Sequence, residues 1–458
     1  MNTRTTSAIL RLTIATSLLL TACVSNQASN CASDASTVGP CPAPGADSGS
    51  GPSPGMPDSS RDADAPMPDS GNDADAGQQA GARDSGHSAA PLSVSGGTLL
   101  KDGVSYRAVG VNYYDAFYRL AANSADTSYR AGFATLQANH IPFIRFPLMP
   151  FWPDQAAPFI NDPASLLKLL DGFVADAASY NVGLVPDVFW NLATLPDVMG
   201  EPVSAWGTPS SKTVAFAKSF SAALAARYRD SPTIWAWEFI NEMDAWADYP
   251  GAYMSFPVDP SQGTPASRST ADDFSSAQML FAYQSFADAI RSGDPARLVV
   301  SGYGGARHDA FNGPGSGVVD TEAQFDSVTA RANAPGDICS VHVYPESVNQ
   351  SYDWRFSDVS VDAPQFVTAA ASAVPGKPMM YGEFGSLDDG TEGTAAVSLA
   401  NFTAILSAFA ASPAPLALAW VFDFSFQDIN NGNFNITATN AHADRLALLK
   451  STNENFGH

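Results

Sequence analysis

Trp235-Ala-Trp-Glu-Phe-Ile-Asn-Glu242 and Lys377-Pro-Met-Met-Tyr-Gly-Glu383-Phe-Gly385 share one pattern, an apolar, aromatic-rich run that ends abruptly in a carboxylate. Burying a lone glutamate at the end of such a run is costly unless something compensates the charge. Two of them, on separate strand-like segments, point to a site that needs paired carboxylates. Retaining glycoside hydrolysis is chemistry of that kind, with one glutamate as nucleophile and the other as acid/base.

Outward from these two runs, short apolar segments alternate with longer helical patterns, the signature of parallel strands joined by helices. The candidate strands are Arg107–Asn112, Ile141–Pro147, Gly183–Phe189, Ile234–Asn241, Leu298–Gly302, Ile338–Tyr344, Pro378–Glu383 and Ala417–Phe422. Helical stretches lie between them at Pro163–Tyr180, Ser211–Tyr228, Ala271–Ser292, Ala363–Ala373 and Thr394–Ala411, with a last one at Ala441–Lys450. A hairpin with Asp102-Gly103 at its turn precedes the first strand. Eight strand–helix units from residue 92 to 458 predict an α/β fold, a (β/α)8 TIM barrel with an N-terminal β-hairpin. In such barrels the chemistry sits at the C-terminal ends of the strands. Asn112, Arg145, Asp187, Asn241, Glu242, His342, Tyr344 and Glu383 all fall at those ends, and Trp420 lies on the last strand.

With those positions in hand, the region from about residue 95 to 455 resembles glycoside hydrolase clan A, most closely family 5, which contains cellulases and β-mannanases. The resemblance implies that Asn241-Glu242 closes strand four with Glu242 as acid/base, and that Glu383 closes strand seven as nucleophile. It matches Arg145 to a strand-two arginine, His342-Val-Tyr344 to a strand-six His-x-Tyr motif, and Trp420 to a strand-eight tryptophan. One feature departs from many of the family's cellulases. Their strand-three histidine is missing, and Pro186-Asp187-Val-Phe-Trp190-Asn191 puts Phe189 or Trp190 there. The family's mannanases also often lack that histidine and share the Trp-Glu-x-x-Asn-Glu style, so β-mannan is the favoured polymer, followed by β-glucan.

The chemistry sets independent requirements. Glu383 must be ionised to attack an anomeric carbon, and Arg145 with the Tyr344 hydroxyl is suited to hold it so. Glu242 must begin protonated, and apolar neighbours and a nearby carboxylate both raise its pKa. Asn241 is expected on the sugar 2-hydroxyl, and Asn112, Arg145, Trp190, His342, Tyr344 and Trp420 are the remaining candidates for substrate binding. Tyr113, Tyr114, Trp152, Trp206, Trp246 and Tyr249 are loop aromatics placed to line sugar subsites. No cluster with metal-ligand spacing and no phosphate-binding glycine loop is present, so neither metal nor cofactor is expected.

The N-terminus carries an address. Arg4 and Arg11, the apolar stretch Ile9 to Leu20 and Leu20-Thr-Ala-Cys23 form an export signal over residues 1–22 that resembles a bacterial lipoprotein signal ending at its lipobox. That resemblance implies lipidation of Cys23. Val24 in place of the aspartate of inner-membrane lipoproteins implies the outer membrane, and simple secretion is the alternative. Residues 23–91 hold no aromatic residue and are rich in Asp, Ser, Gly and Pro, so a disordered tether is expected there. Cys31 and Cys41 lie in it, free to pair, and Cys339 reads as a buried small hydrophobe.

The net charge is −23, and removing the nine Asp and two Arg of the tether and the two Arg of the signal leaves about −18. A domain this negative disfavours nucleic acid and anionic polymers and is compatible with a neutral polysaccharide. A monomer is expected. The leading expectation is a retaining endo-β-1,4-glycanase attached to the membrane only through a lipid. The alternatives are an exo-acting β-glycosidase or transglycosylase with the same residues, and a non-catalytic glycan-binding surface lipoprotein.

Overall fold

The computed structural model describes residues 91–458 except 315, 346–354, 389, 391–393 and 429–432. The signal at 1–22, the tether and Cys23, Cys31 and Cys41 therefore lie outside the described residues. Three short antiparallel strands come first: β1 (Leu92–Ser95), β2 (Thr98–Lys101) and β3 (Val104–Ser105). The expected hairpin is β2–β3. Its turn has positive φ at both Asp102 (51°) and Gly103 (78°), as a two-residue primed turn requires. The extra strand β1 makes it a three-stranded sheet.

Eight parallel strands follow: β4 (Ala108–Asn112), β5 (Phe143–Pro147), β6 (Gly183–Asp187), β7 (Ala236–Glu238), β8 (Leu298–Val300), β9 (Cys339–Val343), β10 (Met379–Phe384) and β11 (Leu416–Ala419). They pair in the order β8-β7-β6-β5-β4-β11-β10-β9, and a parallel bridge between Val300 and Ile338 joins the two ends into a ring. This is a (β/α)8 barrel. Each anticipated strand contains the observed one or overlaps most of it. The largest trimming is at Ile234–Asn241, where the ladder stops at Glu238 and Phe239 to Glu242 run on as an extension.

Alternation along the strands sorts the core into two parts. Val109, Val111, Ile144, Phe146, Leu184, Trp237, Val341 and Tyr381 face outward into the layer covered by helices. Ala108, Phe143, Val185, Ala236, Leu298, Val300, Met380, Leu416 and Leu418 face inward and form a second apolar cluster with Leu92 and Leu99. The N-terminal sheet thus packs over the lower end of the barrel interior. The next inward layer is polar: Asn112, Arg145, Asp187, Glu238 and His342 are all buried. On β5, β6 and β7 the change from oil to charge takes two residues, from Phe143 to Arg145, Val185 to Asp187 and Ala236 to Glu238.

The helices at Pro163–Ser179, Lys212–Tyr228, Ser276–Gly293, Ala363–Ser372, Ala395–Ala411 and Ala443–Asn455 match those anticipated, within a turn or so at their ends. Others were not anticipated, among them Ala116–Ala122, Tyr129–Ala138, Pro153–Asn161 and Glu322–Ala332. Cys339 is buried and unbonded, as expected of a small core hydrophobe. Among the described residues no helix is long and apolar enough to cross a membrane.

Candidate active site

Arg145 occupies the centre of the polar layer. Its side chain is fully buried, and its guanidinium is shared out with little left over. Nε donates to Glu238 Oε2 at 2.7 Å. Nη1 donates to Glu383 Oε1 at 2.8 Å and Asn112 Oδ1 at 3.0 Å. Nη2 donates to Asn241 Oδ1 at 2.7 Å and lies 3.3 Å from Asp187 Oδ2. Burial works against the cation, but three carboxylates outweigh it and hold the arginine charged. Charge-assisted hydrogen bonds of this kind are strong and directional, so one buried arginine sets the orientation of five other side chains.

Glu383 reaches this layer through a break in alternation. Met380 faces inward, so strict alternation would turn Gly382 inward and Glu383 out. The pairing of β10 with β9 shifts register between Tyr381 and Glu383, and Gly382 is the added residue of a bulge. Its carbonyl accepts from Asn112 Nδ2 at 2.9 Å. A Cβ at Gly382 would sit 2.8 Å from His342 Nε2 and 3.0 Å from Ser340 Oγ, so only glycine fits. The bulge returns Glu383 to the inward face, where Tyr344 donates to Oε2 at 2.6 Å. Burial pushes the Glu383 carboxyl above its ordinary pKa, and Glu242 adds to this, while His342 and Arg145 pull it down.

Glu242 stands one residue beyond Asn241 with φ 47° in the left-handed region, which is uncommon for a non-glycine residue. Its own N–H donates to Gly302 O at 2.9 Å, tying the extension of β7 to the loop after β8. His342 Nδ1 lies 2.7 Å from Glu242 Oε1 and 3.6 Å from Glu383 Oε2. Although 22 % of its side chain is open to the cleft, the rest of Glu242 is enclosed, and burial raises its pKa to about 7, with Arg145 opposing. Burial also lowers His342 to about 4, so at neutral pH this imidazole is uncharged. One oxygen or nitrogen from each of Glu242, His342 and Glu383 lies within 4.8 Å of the others, and among the described residues this is the one such cluster close enough to chelate a cation.

A cleft of about 750 Å³ opens over the two glutamates. Its lining includes Asn241, Glu242 and Glu383, a contiguous aromatic group of Tyr114, Trp190, Trp420 and Phe424, and the pair Trp246 and Phe256 with Pro257. Trp190 and Trp420 stack nearly parallel, with ring centroids 6.0 Å apart, and Tyr114 meets both edge-on. Trp190 also covers the Arg145 guanidinium at 4.4 Å. Trp420 lies just past β11, and its peptide bond to Val421 is cis.

Of the residues singled out in the sequence, Asn241, Glu242, Glu383, Trp190 and Trp420 line the cleft. Arg145, His342 and Tyr344 sit behind them, in contact with the carboxylates rather than in the cleft wall, and Asn112 lies behind these, bonded to Arg145 and to Gly382 O. The loop aromatics divide. Tyr114 and Trp246 line the cleft, whereas Tyr113 donates to Asp423 at 2.7 Å and Trp206 donates to Leu192 O at 2.8 Å, both within the core. Trp152 is buried against Phe151, and Tyr249 lies under the Arg307 guanidinium.

Sequence reasoning gave Glu238 no role. It is fully buried, is the register partner of Asp187 on the adjacent strand, and makes the closest carboxylate contact to Arg145 through Nε. One oxygen of each, Asp187 Oδ1 and Glu238 Oε1, has no hydrogen-bond partner. Burial, followed by the Glu238 charge, raises the Asp187 pKa well above the usual range. The signal was available: a glutamate two residues after Ala236 on an inward-facing register must enter the barrel.

The family profile of cellulase, glycosyl hydrolase family 5, matches residues 113–412. The chain belongs to that family, and it is a glycoside hydrolase. Its fold is that of an endo-1,4-β-mannanase from Rhizomucor miehei, with TM-score 0.58 and 19 % identity over 80 % of this chain and 99 % of the other. It also resembles an endo-β-1,4-mannanase from Thermotoga petrophila, with TM-score 0.53 and 15 % identity over 78 % of each chain. An exo-β-1,4-mannosidase from an Opitutaceae bacterium gives TM-score 0.53 and 15 % identity over 80 % of this chain and 63 % of that one. None of the curated proteins compared with the chain matches it.

Proposed function

We propose that the chain is a retaining endo-β-1,4-glycanase acting on β-mannan, displayed outside the cytoplasm on a lipid anchor at Cys23. The observation that carries the mechanism is the separation of the two carboxylates, with oxygens of Glu242 and Glu383 within 4.8 Å. Double displacement needs carboxyl groups about 5–5.5 Å apart, and inversion needs about 6.5–9.5 Å to admit a water.

The roles follow from the donors. Glu383 accepts from both Arg145 and Tyr344, which favours its anion, so it is the nucleophile. Glu242 has the His342 ring, and burial keeps it protonated near neutral pH, so it is the acid. With the proton on Nδ1, His342 donates to Oε1 and leaves Oε2 to carry the acid's proton towards the cleft. Glu242 gives that proton to the glycosidic oxygen as Glu383 Oε attacks the anomeric carbon, the C–O bond breaks, and a glycosyl ester forms. Glu242, now ionised, then takes a proton from the incoming water, whose oxygen displaces Glu383. Asn241, oriented by Arg145, is placed for the sugar 2-hydroxyl, and Trp420 and Trp190 offer apolar faces to the ring.

Mannan is favoured by Trp190 where a strand-three histidine is common in cellulases, by the Glu238-x-x-Asn241-Glu242 pattern, and by the likeness to two endo-mannanases of known structure. An exo-acting mannosidase is the second reading, supported by the long loop after Glu242 that walls the cleft. The test is reducing-sugar release on galactomannan, glucomannan, carboxymethyl cellulose and xylan by the purified protein. Release on the mannans, reduced by at least about 10³-fold in Glu242→Gln and Glu383→Gln, is the expected result. Binding without release on any of the four polymers would replace the hydrolase with a glycan-binding protein.

A further inference from the structure

Arg145 is one cation facing three carboxyl groups, and its three contacts are not alike. Nε meets Glu238 Oε2 at 2.7 Å and Nη1 meets Glu383 Oε1 at 2.8 Å, the lengths of hydrogen bonds between charged groups. Nη2 stands 3.3 Å from Asp187 Oδ2, outside that range, although both side chains are 0 % exposed and no solvent weakens the attraction. The short contact of Nη2, 2.7 Å, goes to the neutral amide oxygen of Asn241. Nε and Nη2 form one edge of the guanidinium, where a single carboxylate forks in a bidentate pair. Here two carboxyl groups divide that edge, and Glu238 holds the better half.

Asp187 lacks the other supports that a buried anion needs. Its Oδ1 has no hydrogen-bond partner among the described residues. Its register partner on the adjacent strand is Glu238, and neighbouring strands run only about 4.8 Å apart. Three anions around one guanidinium would leave two charges uncompensated in a layer closed off by burial, which is heavily penalised. Burial and then the Glu238 charge push the Asp187 carboxyl up, with Glu383 adding to them, while Arg145 and the Phe189 N–H pull the other way. The remaining titratable groups that feel Arg145 or Glu238 are His342, Tyr344, Glu242 and, from the helix Ser276–Gly293, Tyr283. None of these is a cation at neutral pH, so none relieves the excess.

We propose that Asp187 is a neutral carboxylic acid in the working protein, and that its proton leaves Arg145 to two anions, Glu238 as fixed counter-ion and Glu383 as nucleophile. Asp187 and Glu238 are positioning residues, acting on the reaction through Arg145 and touching no substrate. An ionised Asp187 would draw Nη2 off Asn241, and its charge would favour the protonated, unreactive form of Glu383. The consequence for Glu383 rests on its reading as the nucleophile, whereas the proton on Asp187 does not depend on that reading.

The experiment has two readouts. The infrared difference spectrum of wild type against Asp187→Asn at pH 7 is expected to show the C=O stretch of one protonated carboxyl, present in wild type and absent from the variant. A carboxylate band lost in its place would overturn the proposal, whatever the protein hydrolyses. The second readout is the acid limb of kcat/KM on mannopentaose, which reports Glu383. Asp187→Asn puts a neutral amide where a neutral acid stood, so the limb is expected to stay within about half a pH unit of wild type. A larger move to lower pH would mean that a charge had been removed, and would overturn the proposal. The double variant Asp187→Asn/Glu238→Gln leaves Arg145 to Glu383 alone, and its limb is expected at least about one pH unit lower. Both sites are changed because Asp187 is free to ionise once Glu238 is neutral. An unmoved limb in the double variant would overturn the part given to Glu238, and should that variant not fold, the spectrum and Asp187→Asn decide. A wild type that shows the acid band and is inert on mannopentaose overturns the hydrolase reading and leaves the neutral acid standing.

Discussion

At the scale of single residues, the site is a problem of distributing one positive charge among several acids. Arg145 faces Glu238, Glu383 and Asp187, all buried, and burial followed by the neighbouring Glu238 charge raises the Asp187 pKa well above the usual carboxylate range. Glu242 has no arginine in contact and titrates late. Its pKa of about 7 sets the alkaline limb of kcat/KM, so activity is expected to fall about ten-fold per pH unit above that value. The same shift has a consequence for stability. The folded pKa lies above the ordinary value of 4.5, so the contribution is intact below about 4.5 and is lost as pH rises through 7. Glu242→Gln cannot ionise, so it is expected to be more stable than wild type at pH 8.5 by about 2 kcal/mol, and to show no such advantage at pH 4. The figure lies below the full linkage value because part of the side chain meets water. Denaturant titrations at the two pH values check it, and an equal difference at both would contradict the assignment.

At the scale of elements, catalytic geometry comes from places where strands stop being regular. Beyond Glu238 the chain leaves the ladder, and Gly302, with φ 75°, lets it through: a Cβ there would sit 2.1 Å from Ile240 O and 2.8 Å from Glu238 Oε1. Gly302→Ala is expected to cost about 3 kcal/mol and to lower kcat, because the segment carrying Asn241 and Glu242 must move. Calorimetry and kinetics on one preparation would show both, and an unchanged Tm would contradict the close approach. The strands were legible in the sequence because a buried parallel strand is a continuous apolar run, and several carry a polar residue in their C-terminal half, such as Arg145, Asp187 or His342. The helix Pro153–Asn161 is short and carries a second proline, Pro158, in its interior, which reads in sequence as a break, and Tyr129–Ala138 was overlooked. Glu238 was passed over because it sits inside an aromatic run rather than at its end. Which loop aromatics reach the cleft was illegible: Tyr113 and Tyr114 are adjacent, yet one is core and the other is wall.

At the scale of the whole molecule, the barrel separates stability from chemistry along its axis. The lower interior is apolar and packs against the N-terminal sheet, and the polar layer with the cleft occupies the other end. On the proposed address, Cys23→Ser would move the protein from the membrane fraction to the soluble extracytoplasmic fraction without altering its specific activity on mannan. Retention of the variant in the membrane would contradict a lipid anchor. The central claim is double displacement through a glycosyl ester on Glu383, and the configuration of the first product tests it most directly. Proton NMR during the first minutes of mannopentaose hydrolysis should show the new reducing end appearing as the β anomer, with the α anomer growing in later by mutarotation. An α anomer appearing first would mean inversion and would contradict both the mechanism and the role given to Glu383.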